Sequence, residues 1–155
     1  MISIAALFTC MKKLASVDKK LKTCEATSSR YVMYYKTLTQ WLKNRNKGIM
    51  ADEFFKKQKI SSIAIYGIGE MGQMLFEELK GTEIHVRYFI DKRANDIFSN
   101  DIGTKVVGLD GISSEESVDA IVITPIYDFN AIEDMLYDMG LDATILSLED
   151  IVYEV

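Results

Sequence analysis

Gly67, Gly69 and Gly72 stand at the spacing G-x-G-x-x-G within the stretch SIAIYGIGEMG, Ser62 to Gly72. Glycines at that spacing suit a backbone that must turn tightly and come close to an anion. The first permits the turn. The second lets main-chain amides approach a pyrophosphate, and the third lets the following helix lie close to the strand before it. Amides at the helix start, at the positive end of its dipole, then face the phosphates. The candidate contacts are Gly67, Ile68, Gly69, Glu70, Met71 and Gly72. Glu70 fits poorly, because a carboxylate beside a pyrophosphate repels it unless it turns to solvent. The alternative is that the three glycines only shape a tight turn in a fold without a ligand.

Two further groups fall where such a ligand would extend. Asp91 ends the next apolar run, where an acid can accept from ribose hydroxyls; that favours NAD or another unphosphorylated ribose over NADP. Lys92 and Arg93 beside it could instead hold a 2′-phosphate or a diphosphate, and Asp91 could be an ordinary turn residue. Thr124 and Pro125 follow the strong apolar run DAIVIT, at the edge where ligands bind in open α/β sheets, or form a rigid turn there.

The elements that must position these residues are legible in outline. Ile63 to Tyr66 reads as a short buried strand beginning near Ile60, and Met71, Met74, Leu75 and Leu79 line one face of a helix after it. Further strands are expected at Ile84–Ile90, weakly at Lys105–Gly108, at Asp119–Thr124 and at Ala143–Leu146. Helices are expected at Tyr127–Met139 and, capped by Ser147, at the end of the chain. Asn95, Asp96, Ser99, Asn100, Asp101 and Gly103 mark a loop. Strands alternating with helices imply α/β architecture: a Rossmann-like parallel sheet of about five strands with right-handed crossovers.

The front of the chain is different. Ile4, Leu7, Met11, Leu14, Val17 and Leu21 recur at helical steps, and Tyr31, Tyr34, Leu38, Trp41 and Leu42 do so again. Small polar residues between Thr23 and Ser29 suggest a break with Ser28 or Ser29 as cap, hence an N-terminal helical hairpin closed near Gly48. A short helix from Ala51 or Asp52, acidic at its start and basic at its end, leads into the sheet. Residues 1–59 are thus expected to form a helical segment and 60–155 the nucleotide-binding domain. The hairpin either packs on itself and the sheet or offers a surface for a homodimer or for docking to an enzyme.

Composition narrows the function classes. The chain has 155 residues, 48% hydrophobic and 26% charged, as in an ordinary globular protein. Eighteen Lys and Arg against 23 Asp and Glu give a net charge of −5, which argues against a nucleic-acid surface. No apolar run reaches the roughly 18 residues that a membrane span needs. The apolar start MISIAALFTC lacks a preceding positive region, so it reads as the buried face of a helix, not a signal peptide. Cys10 and Cys24 have no metal-binding spacing and suit a reducing, cytoplasmic setting. Tyr88 and Lys92 share the spacing of a reductase pair but fall on a strand, where they stand about 13 Å apart. His85, the only histidine, reads as a strand residue. No nucleophile elbow, phosphate-binding lysine or metal cluster is present, so no catalytic residue is assigned.

The run IAIYGIGEMGQMLFEEL followed by VRYFIDKR resembles the Rossmann-like domains attached to bacterial surface-polysaccharide enzymes. These include amino-terminal domains of capsule-type nucleotide-sugar dehydratases and of sugar acyltransferases that bind a UDP-sugar, and modules beside glycosyltransferase domains. The resemblance covers about Ile60 to Val152 and rests on Gly67, Gly69, Gly72 and Asp91, with the SLEDIV end as minor support. It implies that the glycine turn holds a diphosphate and Asp91 a ribose or nearby hydroxyl, with NAD(H) or a nucleotide-sugar as ligand. The catalytic domains of those enzymes have no counterpart in the sequence. The implied role is an accessory or sensing module; the alternatives are a cofactor-binding half completed by a partner chain, or an interaction domain with an empty site.

Overall fold

The computed structural model describes residues 4–94 and 103–155, with side chains from residue 8 onward. The turn formers Asn95, Asp96, Ser99, Asn100 and Asp101 lie outside the described residues. Five parallel strands form one sheet in the order β3-β2-β1-β4-β5. The strands are β1 (Ser62–Tyr66), β2 (His85–Ile90), β3 (Lys105–Val107), β4 (Ala120–Ile123) and β5 (Thr144–Ser147). The helices are α1 (Ile4–Asn46), α2 (Ala51–Gln58), α3 (Glu70–Leu79), α4 (Phe129–Asp138) and α5 (Leu148–Glu154). The fold is α/β and Rossmann-like. A 3₁₀ turn at Leu109–Ser114, unexpected from the sequence, follows β3.

β1 sits at the centre because its residues are apolar on both faces. Ala64 and Tyr66 point to the side closed by Ile132 and Leu136 of α4, together with Tyr88, Ile90, Val107, Ile121 and Ile123. α3 packs on β1 and β2, where the rings of Phe76 and Phe89 meet edge to face, centroids 5.5 Å apart. The chain leaves β1 toward β2 and β3, then returns to the other side of β1 as β4. That reversal is where an open sheet leaves a crevice at its carboxyl edge. At the opposite edge the Asp119 carboxylate accepts from the amides of Ser61 and Ser62, at 2.9 and 2.8 Å.

The chain divides into two compact units, Met1–Lys36 and Thr37–Val155. Within the second, the end of α1 turns Thr37, Trp41 and Asn44 inward. The Trp41 indole N–H donates to Glu78 Oε2 at 2.8 Å, and Asn44 Nδ2 donates to the carbonyl of Val152 at 2.6 Å. Glu78 Oε1 accepts from the Ala51 amide at 2.8 Å, at the start of α2. Arg45 Nε lies 3.6 Å from the same carboxylate. Glu78 thus joins α1, α2 and α3.

The expected hairpin is corrected: α1 runs unbroken through Thr23–Ser29. The Thr23 and Thr27 hydroxyls donate to the carbonyls of Lys19 and Thr23, one turn back, so these residues sit inside the helix and do not cap one. The expected burial of the first stripe is corrected at Met11, Leu14, Val17 and Leu21, which are exposed, as is every side chain from Phe8 to Val32; those of Ile4 and Leu7 lie outside the described side chains. Trp41 faces inward while Tyr31, Leu38 and Leu42 are exposed, so these do not share one buried face. Met74 is likewise exposed. Ser147 does cap α5, its hydroxyl accepting from the Glu149 amide at 3.2 Å.

Candidate functional site

The carboxyl edges of β1, β2 and β4 bring the singled-out residues into one neighbourhood. Gly67 leaves β1 at φ +95, a backbone region that side chains rarely enter. A β-carbon there would lie 2.8 Å from Thr124 Oγ1 and 3.0 Å from Pro125 Cδ. Gly72 lies in the first turn of α3, where a β-carbon would stand 2.1 Å from the Gly67 carbonyl oxygen. Its bare backbone is what lets α3 approach the end of β1. Gly69, the residue before α3, has ordinary backbone angles, and nothing lies within 4 Å of the place its β-carbon would take. It is exposed, and no side chain caps the helix it opens. The first intrahelical bond runs from the Gln73 amide to the Gly69 carbonyl, so the amides of Glu70, Met71 and Gly72 have no acceptor within the helix.

The rest of the turn is tied internally. The Gly67 amide donates to the Ile90 carbonyl at 2.8 Å. Gln73 Nε2 donates to the Ile68 carbonyl at 2.9 Å. The Thr124 hydroxyl is buried and lies 2.9 Å from the Tyr66 carbonyl and 3.2 Å from that of Gly67, to which it donates. Pro125 at φ −71 and ψ 69 makes a γ-turn, closed by the Ile126 amide on the Thr124 carbonyl. Thr124 and Pro125 therefore brace the glycine turn from β4.

Asp91 lies just past β2, its side chain 12% exposed. Its Oδ2 accepts from the Ile68 amide at 3.1 Å, and its Oδ1 from the Arg93 amide at 2.9 Å. The Arg93 guanidinium approaches the same oxygen at 3.5 Å. A carboxylate accepts about four hydrogen bonds, and these three leave capacity for one more donor such as a hydroxyl. Lys92 and Arg93 are exposed. The side chains of Ile68 and Met71 are buried; Met71 offers only its backbone amide, and the amide and carbonyl of Ile68 are already bonded to Asp91 and Gln73. Glu70 is exposed in the first turn of α3, where its charge suits the helix dipole.

Sequence reasoning missed two residues here. Tyr66, the last residue of β1, has a hydroxyl that is buried without a hydrogen-bond partner among the described residues. Burial, and then the nearby Asp91 charge, raise its pKa, so the phenol stays neutral. Gln73 was the other; its amide contact with Ile68 depends on the turn's geometry and leaves no periodic signal. Among the described residues, no cluster of His, Cys, Asp and Glu could hold a metal ion, and no helix is long and apolar enough to cross a membrane.

No protein-family model matches the sequence, and no curated protein matches it. Among solved structures, the chain is similar to UDP-D-quinovosamine 4-dehydrogenase from Vibrio fischeri, at 20% identity over 61% of this chain and 85% of that one, with a TM-score of 0.46.

Proposed function

We propose that the turn from Gly67 to Gly72 takes the diphosphate of NAD(H) or of a nucleotide-sugar, and that the chain is a binding module without a reaction of its own. The carrying observation is the start of α3: its first-turn amides are uncapped, and Gly69 leaves open space in front of them. Asp91, at the end of β2, keeps acceptor capacity for a ribose. The resemblance of this stretch to modules of surface-polysaccharide enzymes makes a nucleotide-sugar the ligand to test beside NAD. On this reading the module senses or holds the nucleotide for another protein.

The test is a thermal-shift panel of NAD, NADH, NADP, UDP, a UDP-sugar and coenzyme A. A ligand present at about 100 times its Kd stabilises the folded state by about 2.7 kcal/mol, a shift of several degrees. NAD or a UDP-sugar should raise the midpoint, and Gly69→Leu should abolish the rise while leaving the unliganded midpoint nearly unchanged. Flat responses to the whole panel, or a response that survives Gly69→Leu, would refute the assignment. Turnover of NADH or of a UDP-sugar by the purified chain would refute the non-catalytic part.

A further inference from the structure

We propose that α1 is one strand of a parallel two-stranded coiled coil formed with a second copy of this chain. The inference is independent of the glycine turn and rests on three observations about the helix. The first is spacing. Cys10, Leu14, Val17, Leu21, Cys24, Ser28, Tyr31 and Tyr35 alternate at steps of four and three without a fault. That is the seven-residue repeat of a coiled-coil seam, with Leu14, Leu21, Ser28 and Tyr35 at a and Cys10, Val17, Cys24 and Tyr31 at d. The phase continues to Leu38 and Leu42.

The second is exposure. Leu14, Val17, Leu21, Tyr31 and Tyr35 are 56–71% exposed, and both cysteines are exposed free thiols. Where α1 belongs to the second unit, Trp41 and Asn44 face inward while Leu42 remains 60% exposed. A helix draws most of its stability from packing an apolar face, and a single helix with four Ser and Thr between Thr23 and Ser29 is marginal alone. The stripe from Cys10 to Tyr35 is about 38 Å long at 1.5 Å per residue.

The third is charge, and it selects both occupant and direction. In this repeat Lys13 and Lys20 fall at g, and Asp18 and Glu25 at e. In a parallel pair, g of one helix meets e of the next heptad in the other. Lys13 then faces Asp18 of the second copy, and Lys20 faces its Glu25, twice over by symmetry. An antiparallel pair sets g against g and e against e, placing lysine near lysine and carboxylate near carboxylate. The helix is therefore complementary to itself when parallel and in register. Charges at e and g keep their water best with two strands, and the outer positions carry Lys12, Lys19, Lys22, Arg30 and Lys36.

A parallel register places each d-position cysteine beside its own copy, which the test exploits. The full chain should sediment as a dimer at micromolar concentration. Mild oxidation with diamide should trap a disulfide-linked dimer in the parent, in Cys10→Ser and in Cys24→Ser, and none in the double variant. Leu14→Lys with Leu21→Lys should give a monomer and end the trapping, while the sheet unit keeps its near-ultraviolet circular dichroism. Lys20→Glu should weaken the dimer several-fold, and adding Glu25→Lys should restore it. A monomeric parent, a trimer or tetramer, or loss of trapping in either single cysteine variant would overturn the proposal. None of these readouts involves a nucleotide.

Discussion

Gly72→Ala separates two physical effects of opposite sign. Helix propensity alone favours alanine over glycine inside a helix by about 1 kcal/mol. The structure opposes this. The new β-carbon would stand 2.1 Å from the Gly67 carbonyl oxygen, a main-chain atom, and 3.3 Å from Phe89 Cε1. To reach even 3.0 Å, α3 and the turn must part by about 0.9 Å. Neither side yields easily. Gly67 is held by its amide bond to Ile90 and by the Thr124 hydroxyl, and α3 is held by the contact of Phe76 with Phe89. Overpacking of this kind costs about 1–3 kcal/mol where flexible side chains can absorb it, and main chain is stiffer. We expect a net loss of about 2–3 kcal/mol after the propensity gain, and a midpoint lower by roughly 6–10 °C. Gly69→Ala is the matched control. It has open space and ordinary backbone angles, so its midpoint should stay within about 2 °C of the parent. Urea unfolding followed by circular dichroism gives both free energies. A Gly72→Ala protein as stable as the parent, or more so, would show that the close approach of α3 to β1 is not as described.

Glu78→Ala should destabilise by about 2–4 kcal/mol, because it strands the Trp41 indole N–H and the Ala51 amide in the interior; urea unfolding followed by Trp fluorescence reads it directly, and a loss under 1 kcal/mol would refute the junction. The Asp119 pKa falls from 3.8 to about 2 because the backbone amides of Ser61 and Ser62, and then their hydroxyls, bond its charged form. A group with a lowered folded pKa stabilises fully above its unfolded value and loses that contribution as pH falls through the folded one. Asp119 is exposed, so screening reduces the effect to about 1 kcal/mol. The gap in stability between parent and Asp119→Ala should be constant above pH 5 and narrow between about pH 4 and pH 2; a gap that does not change with pH would refute the linkage.

The sheet was readable because each strand is a short apolar run bounded by turn residues. The expected strand ends agree with the structure to within two residues, and those at Tyr66, Ile90 and Lys105 coincide with it. The glycine turn was readable because its spacing is set by backbone sterics that the structure expresses at Gly67 and Gly72. The long helix was misread for an equally local reason. Thr23, Thr27, Ser28 and Ser29 are residues that caps prefer, yet a threonine can bond back one turn and remain helical at small cost. The three-four spacing through Leu21, Cys24, Ser28 and Tyr31 never changed phase across the supposed break, and that continuity was the better signal. The role of Glu78 and the contact of Asp91 with Ile68 leave no trace in the pattern, because each joins groups far apart in the chain: Glu78 with Trp41 and Ala51, Asp91 with Ile68.

The internal bonds of the turn bear on what a ligand would encounter there. Of its main-chain groups, the amide of Gly67 is bonded to Ile90 and that of Ile68 to Asp91. The carbonyl of Tyr66 accepts from the Thr124 amide, that of Gly67 from the Thr124 hydroxyl and that of Ile68 from Gln73. What those bonds leave over is the uncapped first turn of α3, reached across Gly69. Amides held in this way need no reordering when an anion arrives, so little of the binding energy goes to fixing the loop. Through Ile68, Asp91 holds the turn in shape, and through its spare acceptor capacity it can receive a hydroxyl. Removing its charge would therefore loosen the turn as well as the proposed ribose contact. Gly69 is the position at which the proposed binding can be tested while the folded turn is kept, because nothing in the protein lies within 4 Å of the place its β-carbon would take.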